Sequence, residues 1–113
     1  MIKIYHNNRC SKSRQGVALL ENSGKEFEII KYLDNTPSID ELKTILKKLE
    51  IKPIELVRKN EAIWKEKFKG KEMTDEQIVE AMINNPKLIE RPIVINGNKA
   101  VIGRPIENIE NII

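Results

Sequence analysis

The stretch that decides the fold is Met1-Ile2-Lys3-Ile4-Tyr5-His6-Asn7-Asn8-Arg9-Cys10-Ser11-Lys12-Ser13-Arg14. Residues 2 to 6 alternate apolar and polar, the period of a half-buried strand. A short polar loop comes next, and then an amphipathic segment with Val17, Leu19 and Leu20 along one side, closed by Ser23-Gly24. Ser11 is the expected cap of that helix and Gly24 its stop. Cys10, the only cysteine in the chain, therefore stands where a strand hands over to a helix. The field of the helix N-terminus favours a thiolate at that position.

Working outward, Phe27-Glu28-Ile29-Ile30-Lys31 reads as a second strand. Strand, helix, strand at this spacing is a βαβ unit, so the two strands should pair in parallel. The middle of the chain turns helical. Pro37-Ser38-Ile39-Asp40-Glu41 opens a helix with Ser38 as cap and Glu41 completing a capping box, and Leu42, Ile45, Leu46 and Leu49 form its apolar stripe. Ile54 to Arg58 and Glu61 to Lys69 are expected to be short helices. Thr74-Asp75-Glu76-Gln77 is a second capping box, heading a helix that carries Ile78, Val79, Met82 and Ile83 and stops at Asn84-Asn85-Pro86. Pro92-Ile93-Val94-Ile95 and Ala100-Val101-Ile102, joined by Gly97-Asn98, form a hairpin. Ile106, Ile109, Ile112 and Ile113 predict a closing helix over residues 103–113. The order βαβ, helical insertion, ββα predicts an α/β, thioredoxin-like (glutaredoxin-like) fold: a mixed β-sheet flanked by helices.

Composition bounds what such a fold can do. The chain has 113 residues, 40% of them apolar and 33% charged, with no repeat or linker; one domain over residues 1–113 is expected. No run of about 18 apolar residues is present, so no membrane partner is expected. The net charge of +3 arises from 20 basic and 17 acidic residues that are interspersed, which argues against a nucleic-acid partner. The densest basic cluster, residues 65–71, reads as a solvated helix end. The N-terminus lacks the apolar stretch and cleavage site of a signal peptide, and a lone cysteine suits a reducing compartment; a cytoplasmic location is expected.

A free thiol with a pKa near ~8.5 is only a few per cent thiolate at neutral pH. Lowering that value by about two units requires roughly 2.7 kcal/mol of differential stabilisation. Helix N–H groups, Arg9, Arg14 and a protonated His6 are the candidate sources. Cys10 could instead serve as a small buried hydrophobe, but its polar loop favours the reactive reading. His6 reads equally as a satisfied strand-end histidine. Ser13 lies one helical turn beyond Cys10, where its hydroxyl can approach the sulfur. Arg91 and Arg104 each precede a proline and flank the closing hairpin, whose ends lie close together; arginine grips tetrahedral oxyanions in a fixed geometry. Taken alone, both could be surface arginines beside turn prolines, and Arg58 an ordinary helix charge. One His and one Cys do not make a metal site.

Five segments, Ile4-Tyr5-His6-Asn7, Cys10-x-x-Ser13-Arg14, Leu56-Val57-Arg58-Lys59-Asn60, Asn85-Pro86-x-Leu88-Ile89-x-Arg91-Pro92-Ile93-Val94 and Gly103-Arg104-Pro105, together resemble the ArsC-type, glutaredoxin-coupled arsenate reductases. The resemblance runs nearly end to end. It implies a cis bond before Pro92, facing the cysteine. It also implies Cys10 as nucleophile, His6 as the histidine that helps lower the thiol pKa, Ser13 as a hydroxyl neighbour, and Arg58, Arg91 and Arg104 as the arginines that hold the oxyanion. Arg14 matches the pattern in either a functional or a structural role. The implied substrate is arsenate, with glutathione as co-substrate, glutaredoxin as partner and no bound cofactor. Asn8 departs from the proline often found there, and the chain lacks the tail of some members. Two other readings remain: a Spx-like regulator that binds RNA polymerase, which usually carries Cys-x-x-Cys where this chain has Ser13 and needs no arginine trio, and a related thiol oxidoreductase in which the same residues act on a different substrate.

Overall fold

The computed structural model describes residues 1–113. The chain forms two compact units, one from residues 1–35 and 91–113 and the other from residues 36–90.

The first unit is built on β1 (Ile2–His6). Chain order continues with α1 (Ser11–Ser23) and β2 (Phe27–Lys31), and later with β3 (Ile93–Asn96) and β4 (Lys99–Ile102). The sheet order is β2-β1-β3-β4. β1 runs parallel to β2, with Ile4 opposite Ile29, and antiparallel to β3, with Ile4 opposite Val94. This is the expected thioredoxin-like sheet. Side-chain alternation sends Ile2, Ile4 and Val94 to one face, where they pack with Leu20 of α1 and Ile109. Ile4, Leu20, Val94 and Ile109 are all fully buried, and truncating Ile4, Leu20 or Ile109 to alanine would cost about 2–5 kcal/mol.

Two local expectations change. The N-cap of α1 is Cys10, with extended backbone angles, and Ser11 is the first helical residue; the turn begins one residue earlier than a serine cap requires. Gly24 does end the helix, in the left-handed conformation. The closing segment is a 3-10 helix over Ile106–Asn111 rather than an α-helix. It is anchored by Asn108, whose side-chain amide donates to the carbonyls of Ile102 and Arg104. The Arg91–Pro92 peptide is cis, as the resemblance implied, and so is Arg104–Pro105.

The second unit is helical: α2 (Ile39–Leu49), α3 (Pro53–Leu56), α4 (Ala62–Lys67), α5 (Asp75–Asn84) and a 3-10 turn at Pro86–Leu88. Ser38 caps α2 by accepting from the Glu41 amide. At α5 the capping box closes both ways: Thr74 Oγ1 accepts from the Gln77 N–H and Gln77 Oε1 from the Thr74 N–H. Leu42, Ile45 and Leu46 of α2 and Ile78, Val79 and Met82 of α5 are buried, as their spacing predicts. α3 stops at Leu56, earlier than expected, because Val57 turns extended and bridges Ile89. Lys65, Lys67, Lys69 and Lys71 are exposed, consistent with a solvated helix end. No helix is long and apolar enough to cross a membrane.

Candidate active site

The Cys10 thiol is half-buried at the head of α1. Its loop is held by its own backbone: the Cys10 N–H donates to Asn7 O at 3.0 Å, and the Arg14 N–H donates to Cys10 O at 3.0 Å. Asn7 is buried, and its side-chain oxygen accepts from the Arg9 N–H at 3.0 Å. The first turn of α1 carries no acidic residue, whereas α2 and α5 carry Asp40-Glu41 and Asp75-Glu76 there. The positive end of α1 is thus left uncompensated beside the sulfur.

Burial pushes the thiol pKa up, but it is outweighed. The Ser13 backbone N–H, the Arg104 guanidinium, the Lys12 backbone N–H and the Arg91 guanidinium all favour the thiolate, and the net displacement is downward. Arg104 Nη2 donates toward Cys10 Sγ at 3.4 Å. Arg104 Nε donates to the Arg91 carbonyl at 2.8 Å, and the Gly103 N–H donates to Pro92 O at 2.8 Å. The two ends of the hairpin are thereby tied together, with Arg104 at the cysteine and the Arg91 charge acting on it. Arg91 is only 7% exposed, which sets aside the surface reading for that residue; Arg104 is exposed but engaged with Cys10 and the Arg91 carbonyl.

The other cation sources expected from sequence are not used in that way. Arg14 Nη1 donates to the Asn8 carbonyl at 2.9 Å and so braces the loop. Arg9 is exposed. Burial disfavours His6 as a cation: desolvation lowers its pKa, hydrogen bonding at Ser13 opposes this only in part, and the Lys31 and Arg14 charges lower it further. Its Nδ1 lies 2.7 Å from Ser13 Oγ.

Ser13 is fully buried, and its hydroxyl also accepts from the Asn7 N–H at 3.0 Å. The His6 ring and the Asn7 amide thus both engage this one hydroxyl. The hydroxyl is therefore committed to β1 and the loop; it is the backbone amide of Ser13 that serves the sulfur. Residue spacing carries no sign of this division of labour. The missing acid in Ser11-Lys12-Ser13-Arg14 was the signal available for the helix field.

Arg58 belongs to the helical unit. It comes after α3 and the Val57 bridge rather than lying on a helix, and its N–H donates to Leu88 O at 2.7 Å. Nowhere do three or more His, Cys, Asp or Glu side chains converge to hold a metal ion.

Fold and site define a thioredoxin-like protein with one cysteine heading its first helix and two arginines about the sulfur. The chain belongs to the ArsC family, whose model matches residues 5–112. An arsenate reductase of Neisseria meningitidis serogroup A is 41% identical over 114 residues, covering 99% of this chain and 97% of that one. An arsenate reductase of Haemophilus influenzae is 42% identical over 112 residues, covering 97% of each. The solved structure of an arsenate reductase from Vibrio cholerae matches with a TM-score of 0.94 at 42% identity, covering 99% of this chain and 97% of that one.

Proposed function

We propose that this protein is a cytoplasmic arsenate reductase that draws its electrons from glutathione and glutaredoxin. The observation that carries the reading is the Arg104 guanidinium 3.4 Å from the sulfur of the only cysteine, in a chain closely similar to arsenate reductases. The Cys10 thiolate attacks arsenic and one arsenate oxygen leaves as water, forming an S–As bond. Arg91 and Arg104 hold the remaining oxygens and offset their charge as it builds. Arg58 is the third arginine that the family resemblance assigns to the oxyanion.

The single thiol constrains the reductive steps. Reducing As(V) to As(III) takes two electrons, and one cysteine cannot supply them by closing a disulfide within the chain. Glutathione displaces a second oxygen as water and forms its own S–As bond. A glutaredoxin thiolate then attacks the glutathione sulfur, the S–As electron pair passes to arsenic, and a glutathione–glutaredoxin disulfide departs. Water displaces Cys10 and frees arsenite. In this scheme His6 and Ser13 fix the cysteine loop and carry no proton to the substrate.

The regulator reading is disfavoured by Ser13, whose hydroxyl is buried and bonded to His6 where a two-thiol switch needs a second sulfur. The test is an arsenate-to-arsenite assay with glutathione and glutaredoxin omitted in turn. Turnover should need both and vanish in Cys10→Ser. Reduction by Cys10→Ser at the wild-type rate would overturn the covalent route. Failure of wild-type protein to reduce arsenate with both present would leave a different thiol or oxyanion substrate.

A further inference from the structure

Gly24, Gly70 and Gly97 have positive φ and nothing within 4 Å of the place a Cβ would take, so backbone conformation selects glycine there. Gly16 and Gly103 are different. Neither has a positive φ, and both are buried. Space selects them, and Pro92 Cγ is among the atoms that fill it in both cases. A Cβ at Gly103 would lie 2.8 Å from Pro92 Cγ and 3.1 Å from Ile109 Cδ1. A Cβ at Gly16 would lie 3.1 Å from Ile4 Cδ1, 3.2 Å from Pro92 Cγ and 3.4 Å from Ile109 Cδ1. The Pro92 ring is thus seated in a slot lined by two bare glycines.

The slot joins the three segments that carry the site. Gly16 lies on α1, the helix that Cys10 heads. Pro92 is the residue directly after Arg91. Gly103 directly precedes Arg104, and its N–H holds Pro92 O at 2.8 Å. Pro92, Ile4 and Ile109 are fully buried. The Pro92 Cγ can yield only by a change of ring pucker, and a close-packed interior transmits a larger displacement rather than absorbing it. A methyl group added at Gly103 must therefore move Pro92, the 3-10 helix or the Gly103 backbone. Moving Pro92 shifts Arg91, and moving the Gly103 backbone shifts Arg104.

We propose that Gly16 and Gly103 are positioning residues, which set the distance from the Cys10 sulfur to the guanidinium groups of Arg91 and Arg104 by clamping the Pro92 ring. The clamp acts on the pocket assigned above to the oxyanion, and its bearing on catalysis rests on that reading. Its effect on the thiol does not.

The test is the thiol pKa of Cys10, read from the pH dependence of iodoacetamide alkylation, in wild type, Gly103→Ala, Gly16→Ala and Gly97→Ala. Gly97→Ala strains the turn at the far end of the same hairpin, where φ is +63°, and serves as the control for lost stability alone. Gly103→Ala should raise the thiol pKa by about half a unit or more, since opposite charges within a few ångströms shift a pKa by about 1–3 units and here are only partly withdrawn. It should also lower kcat/KM for arsenate by about tenfold or more, as expected for a sub-ångström misplacement. Gly16→Ala should shift both in the same direction by less, and Gly97→Ala should lose stability with the thiol pKa unchanged.

A folded Gly103→Ala protein with a wild-type thiol pKa would overturn the proposal. If Gly103→Ala does not fold, Gly16→Ala decides: a raised pKa supports the clamp and an unchanged one refutes it. If wild type does not reduce arsenate yet Gly103→Ala still raises the thiol pKa, the functional reading fails and the clamp stands.

Discussion

Arg104 reaches back across the hairpin to Cys10 with two hydrogen bonds from one guanidinium: Nη2 toward the sulfur at 3.4 Å and Nε to the Arg91 carbonyl at 2.8 Å. One side chain therefore contributes charge to the thiol and also holds the segment that carries the second arginine. The planar fork makes this possible, since a lysine offers one point of charge and no fixed second donor.

Arg104→Ala should weaken arsenate use through both of these losses. A hydrogen bond to a charged group contributes about 1.5–3 kcal/mol, so kcat/KM is expected to fall roughly 10- to 100-fold. Arg104→Lys should recover only part of it. Steady-state kinetics with saturating glutathione and glutaredoxin read this directly, and a lysine variant with full activity would count against the bidentate role.

Ser13→Ala should destabilise the fold. It leaves the buried His6 Nδ1 and the Asn7 N–H without their shared partner, at a cost of about 1–3 kcal/mol. Urea unfolding tracked by circular dichroism measures it. An unchanged midpoint would show that the hydroxyl does not hold the loop to β1.

His6 gives the fold a pH dependence of definite sign. Its folded pKa lies below the ordinary histidine value of 6.5, so the unfolded chain takes up the proton first. The stability contribution is therefore complete above pH 6.5 and is lost as pH falls through the folded value. Unfolding free energies should decline on going from pH 7.5 toward pH 5, and His6→Gln should flatten that decline. A wild-type protein that grows more stable over this interval would contradict a neutral, buried imidazole.

Much of this molecule is legible from its residues, and the reason differs by element. β1 and α1 are set by period and by Gly24. The two helix starts at Ser38 and Thr74 are marked by side-chain caps that satisfy orphan amides locally. The same local logic misplaces the cap at Ser11, because the geometry that puts Cys10 at the cap is set by Asn7 and the loop. The closing segment reads as an α-helix by its isoleucine spacing but settles as a 3-10 helix, tied by Asn108 to carbonyls at the end of β4.

At the site, the hairpin brings Arg91 and Arg104 together as its ends implied. Hidden from the sequence is which neighbours act on the sulfur. That Arg14 braces Asn8, that burial lowers the His6 pKa and that Ser13 serves the sulfur through its amide all depend on burial and on bonds across the fold. Spacing carries neither. The tight seats of Gly16 and Gly103 are hidden for the same reason, since a glycine needed for space looks no different from one needed for a turn.

The most direct measurement is the pH titration of Cys10 alkylation in the native protein, set against the same chain unfolded in urea. The native thiol should titrate below the unfolded one, because helix amides and two guanidinium groups outweigh burial. A native thiol that titrates at or above the unfolded value would mean that burial prevails, and the sulfur would then not be the nucleophile that arsenate reduction requires.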